Sequence, residues 1–131
     1  MDVAALITWL VTAVGGFVML SLWVSRGGHR PAGRTRLAPA LVFTHFALAA
    51  VGLVLWIIYL AVDKPVLAWV AFVLLLPVAG LGFTMLARWL PARRTDVAES
   101  RFPVPVVVGH GLFAATTLVL VLLAALGVGG S

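Results

Sequence analysis

Two histidines stand where side chains able to carry charge are rare. His45 lies within "RLAPALVFTHFALAAVGLVL", residues 36–55, and His110 within "RFPVPVVVGHGLFAATTLVL", residues 101–120. Both stretches are otherwise apolar and close to the ~20 residues that cross a bilayer. An ionisable group at that depth is costly and marks a partner or a task. Each histidine follows an arginine by nine residues, Arg36 before His45 and Arg101 before His110. At ~1.5 Å per residue, each imidazole lies roughly 13 Å along its helix from that arginine. If both helices run the same way, the rings share one depth. Two neutral imidazoles meeting in a low-dielectric interior suit axial ligation of one haem iron, one from each side of the porphyrin plane.

The flanking residues are compatible with that chemistry. Four and seven positions past His45 stand Ala49 and Gly52; the matching positions past His110 are Ala114 and Thr117. Such spacings share a helix face, and small side chains there leave room for a flat macrocycle. Gly109 and Gly111 flank His110 and thin its helix, while Leu41, Leu48, Val106 and Phe113 supply apolar walls. Arg36 and Arg101 fall where propionates would emerge, and guanidinium groups match carboxylates.

The chain must supply helices that hold these residues. Of 131 residues, 63% are hydrophobic and 10% charged, and the mean hydropathy is +1.19. A soluble domain is ~25% charged, so a water-soluble core is a poor reading. Four segments are long and apolar enough to span a membrane: Val3 to Val24, Ala38 to Val62, Val66 to Leu90, and Pro103 to Val128. The expected fold is an all-α, up-down-up-down four-helix membrane bundle in a single transmembrane domain. In that topology helices two and four lie on a diagonal, and their inward side chains meet. The opening "MDVAAL" is acidic where a cleavable signal would be basic, so the first span reads as retained.

Charge gives the orientation. The net charge is +5, yet eight of the nine basic residues fall in or beside two loops, 25–37 and 91–102. The positive-inside rule makes those loops cytoplasmic and puts both termini outside, in the plasma membrane, with the bilayer as partner rather than nucleic acid. In the second loop Asp96 and Glu99 are expected to offset arginines. Trp9, Trp23, Trp56, Trp69, Trp89 and Tyr59 read as an interfacial aromatic belt.

The chain also repeats itself weakly. Shifted by 66, "GFVMLSLW" (16–23) falls on "GFTMLARW" (82–89) with five of eight positions identical. Shifted by 65, residues 36–55 match residues 101–120 at eight of twenty positions, the histidines and arginines among them. A tandem duplication of a two-helix hairpin is expected, residues 1–65 and 66–131. Such parallel repeats are related by an axis along the membrane normal.

Two histidines on alternate helices of a four-helix membrane bundle resemble the bis-histidine b-haem sites of membrane cytochromes b. The resemblance covers helices two and four. It implies one b-type haem held by His45 and His110, where carriers that cross the whole bilayer usually stack two haems. The Ala-, Val-, Leu-, Gly- and Arg-rich composition is also similar to that of small four-helix membrane proteins of high-GC actinobacteria.

Other readings stand beside the haem. The histidines could bond neighbouring helices, making the chain a structural or assembly subunit of a membrane complex or a homo-oligomer. They could hold another metal, a proton or a quinone. His29, between glycines and a proline, is expected in solvent, too far out to complete a zinc or copper site. Pro77, followed by Gly80 and Gly82, is expected to bend helix three. No aspartate, glutamate or lysine lies within the spans, so a transporter is disfavoured. Cysteine is absent, and no catalytic constellation is present, so no catalytic residue is assigned and an independent enzyme is not expected.

Overall fold

The computed structural model describes residues 1–129. Four α-helices follow in order: α1 (Asp2–Ser25), α2 (Pro39–Val62), α3 (Pro65–Ala92) and α4 (Val104–Ala125), with a short 3-10 turn at Ala98–Arg101 before α4. All four are long and apolar enough to span a membrane. They carry apolar side chains outward on every side, Ile7, Val14, Val54, Val73, Phe83, Leu112 and Val119 among them. A surface of that kind is at home in lipid and not in water.

The ends of the helices follow from local chemistry. Proline opens α2 and α3 at their first position, where its missing N–H costs nothing and its fixed φ is already helical. α1 and α4 close alike. Gly27 (φ +77°) and Gly127 (φ +79°) each turn left-handed just past the helix. Behind them Gly28 N donates to Trp23 O at 2.9 Å, and Val128 N to Leu123 O at 2.9 Å. That six-to-one bond satisfies carbonyls the helix leaves open, and glycine reaches the conformation without strain. α2 ends on Asp63 (φ 51°), and one further residue, Lys64, precedes α3. So short a connection makes α2 and α3 antiparallel neighbours.

The closest packing runs between the hairpins, α1 against α4 and α2 against α3; α3 also lies along α4, and α1 touches α2 lightly. No Cα of α2 comes within 8 Å of a Cα of α4, and the same holds for α1 and α3. Those pairs are the diagonals, as the up-down-up-down reading requires. The main core fills the half of the bundle away from the arginines, around Ala5, Trp9, Trp56, Tyr59, Leu75 and Val121.

Burial repeats along the chain with the same offsets as the sequence. The buried residues of α1 are Asp2, Ala5, Trp9 and Trp23; 66 positions on, Ala68, Ala71, Leu75 and Trp89 of α3 are all buried. The buried residues of α2 are Gly52, Trp56 and Tyr59; 65 positions on stand Thr117, Val121 and Ala124, the buried residues of α4. Most of these pairs differ in type. The two hairpins therefore occupy matching environments even where the residues have nothing in common.

Tryptophan departs from the belt expectation. Trp9, Trp23, Trp56 and Trp89 are buried inside the bundle, and Trp69 alone of the five is exposed. Three of the four buried indoles have found acceptors, so burial leaves none of those three donors stranded. Trp23 donates to Thr35 Oγ1 at 3.0 Å, Trp56 to Asp2 O at 3.2 Å and Trp89 to Glu99 O at 3.0 Å.

Glu99 departs as well. It offsets no arginine side chain; it is fully buried between the two loops. Its Oε2 accepts from the Thr35 hydroxyl at 2.7 Å and its Oε1 from the Arg36 backbone N–H at 2.6 Å. Thr35 in turn accepts from Trp23 Nε1 and from Leu37 N at 3.0 Å. The carboxylate thus clasps the first loop onto the second. Asp96 meets the charge expectation, in an exposed pair with Arg34 at 3.4 Å. Helix α3 runs unbroken through Pro77.

Candidate functional site

His45 on α2 and His110 on α4 face one another across a diagonal of the bundle. Their ring centroids are 6.4 Å apart and the planes cross at 61°. Both are half-buried. The level, inward placement expected from their spacing is what the helices deliver.

Each ring is held from the opposite hairpin. His45 Nδ1 lies 2.9 Å from Val78 O on α3, and His110 Nδ1 lies 2.7 Å from Thr12 O on α1. A carbonyl only accepts, so each Nδ1 carries the hydrogen, and in the neutral imidazole Nε2 keeps an unprotonated lone pair. Helix carbonyls are normally shielded by the side chain one turn on. Here those positions are glycine. Four residues after Thr12 comes Gly16, and four after Val78 comes Gly82. A Cβ on Gly16 would stand 3.2 Å from His110 Cε1, and one on Gly82 would stand 3.3 Å from His45 Cε1. Gly15 adds to the close approach, its Cβ position being 3.3 Å from His110 Cβ. The second lone pair of each carbonyl is reachable because these glycines leave it bare.

The lone pairs on Nε2 are the unspent chemistry. Neither makes a hydrogen bond within the protein, and neither is sealed, since Asp2 Oδ1 is the sole enclosed side-chain polar atom without a partner among the described residues. With both protons on Nδ1, the imidazoles cannot hydrogen-bond to each other through Nε2. As a donor set, two neutral imidazoles at this distance would suit a haem iron, and the Nδ1–H···O=C bonds hold tautomer and ring orientation as outer partners of metal-bound histidines do.

The expected macrocycle walls are distributed unevenly. Gly52 is filled by the Trp9 ring of α1, whose Cζ2 lies 3.1 Å from the place of a Cβ. Thr117 turns to α1 as well, 2.9 Å from Thr8 Oγ1. On this side the small residues serve helix packing. Ala49 packs on the main core, and Ala114 is half-buried. A Cβ on Gly109 or Gly111 would meet nothing within 4 Å, so both have open flanks. Arg36 and Arg101 are exposed at the arginine end; Arg36 borders a recess with Ala87, Arg88 and Pro91. His29 is exposed, its ring centroid 6.4 Å from that of Trp23.

The glycines were the part of the site that spacing from the histidines could not find. "GFVMLSLW" and "GFTMLARW" mark Gly16 and Gly82 as repeated, but what they repeat for is visible only once the neighbouring helix is in place. No group of three or more His, Cys, Asp or Glu residues able to hold a metal ion occurs among the described residues. Compared with known family models, curated proteins and solved structures, the chain matches none.

Proposed function

We propose that this is a small multi-pass membrane protein that holds one b-type haem between His45 and His110 and serves in electron transfer or as a haem-bearing subunit. The observation that supports it is the pair of fixed imidazoles, 6.4 Å apart, each with its proton committed to Nδ1. Haem bound there would supply one-electron chemistry. The residues' part is to present two neutral nitrogens, oriented by Val78 O and Thr12 O.

The same hydrogen bonds favour a second reading, a structural or assembly subunit whose histidines join helices. Asparagine separates the two, because its amide can still donate to the carbonyl but is a poor iron ligand. In haem-replete cells the purified protein should show the sharp reduced-minus-oxidised α band of a b-type haem, and His45→Asn or His110→Asn should abolish it while the protein stays folded. A haem-free wild type, or a band that survives both variants, would leave the structural reading in possession.

We infer further that the hairpins arose by duplication, supported by the repeated burial pattern, and that the arginine loops 25–37 and 91–102 face the cytoplasm of a plasma-membrane protein with both termini outside. Gly33 cannot report on sidedness, because a Cβ there would collide with Gly27 O. Ala32 is exposed and Lys64 lies at the other end of the bundle. A cysteine at Ala32 should react only with reagent supplied from the cytoplasmic side, and one at Lys64 only from outside; the reverse pattern would invert the topology.

A further inference from the structure

The first arginine loop is folded with unusual care for a connection. α1 closes on Gly27, Arg30 N donates to Gly27 O at 3.1 Å, and Gly33 N donates to Arg30 O at 2.9 Å. A side chain at Gly33 would run into Gly27 O, and one at Gly28 would run into the Trp23 indole. Beyond them Trp23 fixes Thr35, and Ala98 N donates to Arg34 O at 2.8 Å, tying the loop to its counterpart. The backbone is therefore set before any ligand arrives.

What this scaffold presents is positive. Arg26, Arg30 and Arg34, four residues apart, line a shallow recess of ≈ 520 Å³ together with Gly27 and Gly33. Asp96 is the one acid lining it. Its pairing with Arg34 is long, 3.4 Å, and both side chains are largely exposed, so it neutralises little. Arg26 and Arg30 pair with no carboxylate among the described residues. Arg26 directly follows α1, a helix long and apolar enough to span a membrane, so a bilayer around that helix would bring lipid head groups to the recess.

We propose that this recess binds the phosphodiester head group of an anionic phospholipid from the adjoining leaflet. Guanidinium forks match phosphate oxygens in pairs. Basic pockets at the membrane surface attract anionic lipid within a Debye length. A backbone already set beneath the three arginines also lowers the ordering cost of binding. The histidine site has no part in this.

The test is native mass spectrometry of the full chain released from mixed micelles holding equal amounts of phosphatidylglycerol and phosphatidylcholine with the same acyl chains. The wild type should retain phosphatidylglycerol about tenfold over phosphatidylcholine. The triple variant Arg26→Gln, Arg30→Gln, Arg34→Gln should fall to near parity, while Arg88→Gln, Arg93→Gln, Arg94→Gln, changed elsewhere on the same end, should keep the preference. Circular dichroism confirms that each variant is folded. Equal loss in both triple variants, or no preference in the wild type, would overturn the proposal. Displacement of the lipid by inorganic phosphate below about millimolar would overturn it in favour of a soluble phosphate ligand.

Discussion

His45 and His110 are held by the same device used twice, each Nδ1 bonded to a carbonyl four residues ahead of a glycine on the opposite hairpin, at 2.9 Å and 2.7 Å. Thr12 and Val78 are 66 positions apart, as are Gly16 and Gly82, while the histidines are 65 apart. Thr12 and Val78 share no chemistry in their side chains and need none, because the backbone oxygen is what each contributes. The device links hairpin to hairpin: α2 is fastened to α3 and α4 to α1.

Glycine at position 82 should be far less replaceable than its neighbour at 80. A methyl on Gly80 meets nothing within 4 Å, so Gly80→Ala should raise stability by about 0.5–1 kcal/mol through the helix backbone alone. Gly82→Ala puts the methyl 3.3 Å from an imidazole that is tethered and cannot retreat without stretching its bond to Val78 O. The helix gain should be cancelled or reversed, and Gly16→Ala should behave like Gly82→Ala. Thermal unfolding in detergent, followed by circular dichroism, reads the contrast. Equal gains at 80 and 82 would contradict the close fit.

Glu99 should be the polar residue at the arginine end least tolerant of change. Both its oxygens accept hydrogen bonds in full burial. Glu99→Gln must aim an amide N–H at either the Arg36 N–H or the Thr35 hydroxyl. That hydroxyl cannot easily accept a further bond, since it already accepts from Trp23 and Leu37. One buried donor is left facing another, at a cost of about 1–3 kcal/mol. Unfolding in detergent should register it, and Trp23 emission should shift as its Thr35 partner moves. Asp96→Asn, by contrast, should leave the midpoint unchanged, because the pair with Arg34 is exposed.

The fold was legible because bilayer crossing imposes a long apolar run, and the runs could be counted. The observed helices begin or end within a few residues of the expected spans; α4 stops at Ala125, three short of Val128, because Gly127 turns the chain. The level of the two histidines was legible for the same reason, since rise per residue and direction fix depth. Rotation about the helix was harder. Gly52 and Thr117 do lie on an inward face, but that face belongs to Trp9 and Thr8 of the neighbouring helix. Glu99 and the tryptophans were misjudged because composition places polar and aromatic groups at the ends of spans without saying what they bond. Whether an indole lies in lipid or donates to Thr35 depends on a partner twelve residues away.

If the strongest packing is between hairpins, the chain should survive being cut within one of its turns. Severing Asp63 from Lys64 separates the hairpins while leaving α1 against α4 and α2 against α3, the two extensive contacts. Both histidine bonds cross from one fragment to the other, and so does the Glu99 clasp on Thr35 and Arg36. Helices already inserted in lipid associate by such packing and interhelical bonding. Co-expressed fragments 1–63 and 64–131 should therefore copurify on a tag carried by one of them. Combining His45→Ala with Glu99→Ala should weaken the association, removing one crossing bond in the membrane and the clasp at its edge. A cut in the first loop, after Pro31, divides the first hairpin, whose helices touch least. Purification on a tag carried by α1 should in that case still bring the rest of the chain with it, held through α4. Fragments 1–63 and 64–131 that pass through the column independently would show that the covalent turn, and not the crossed contacts, keeps the halves together.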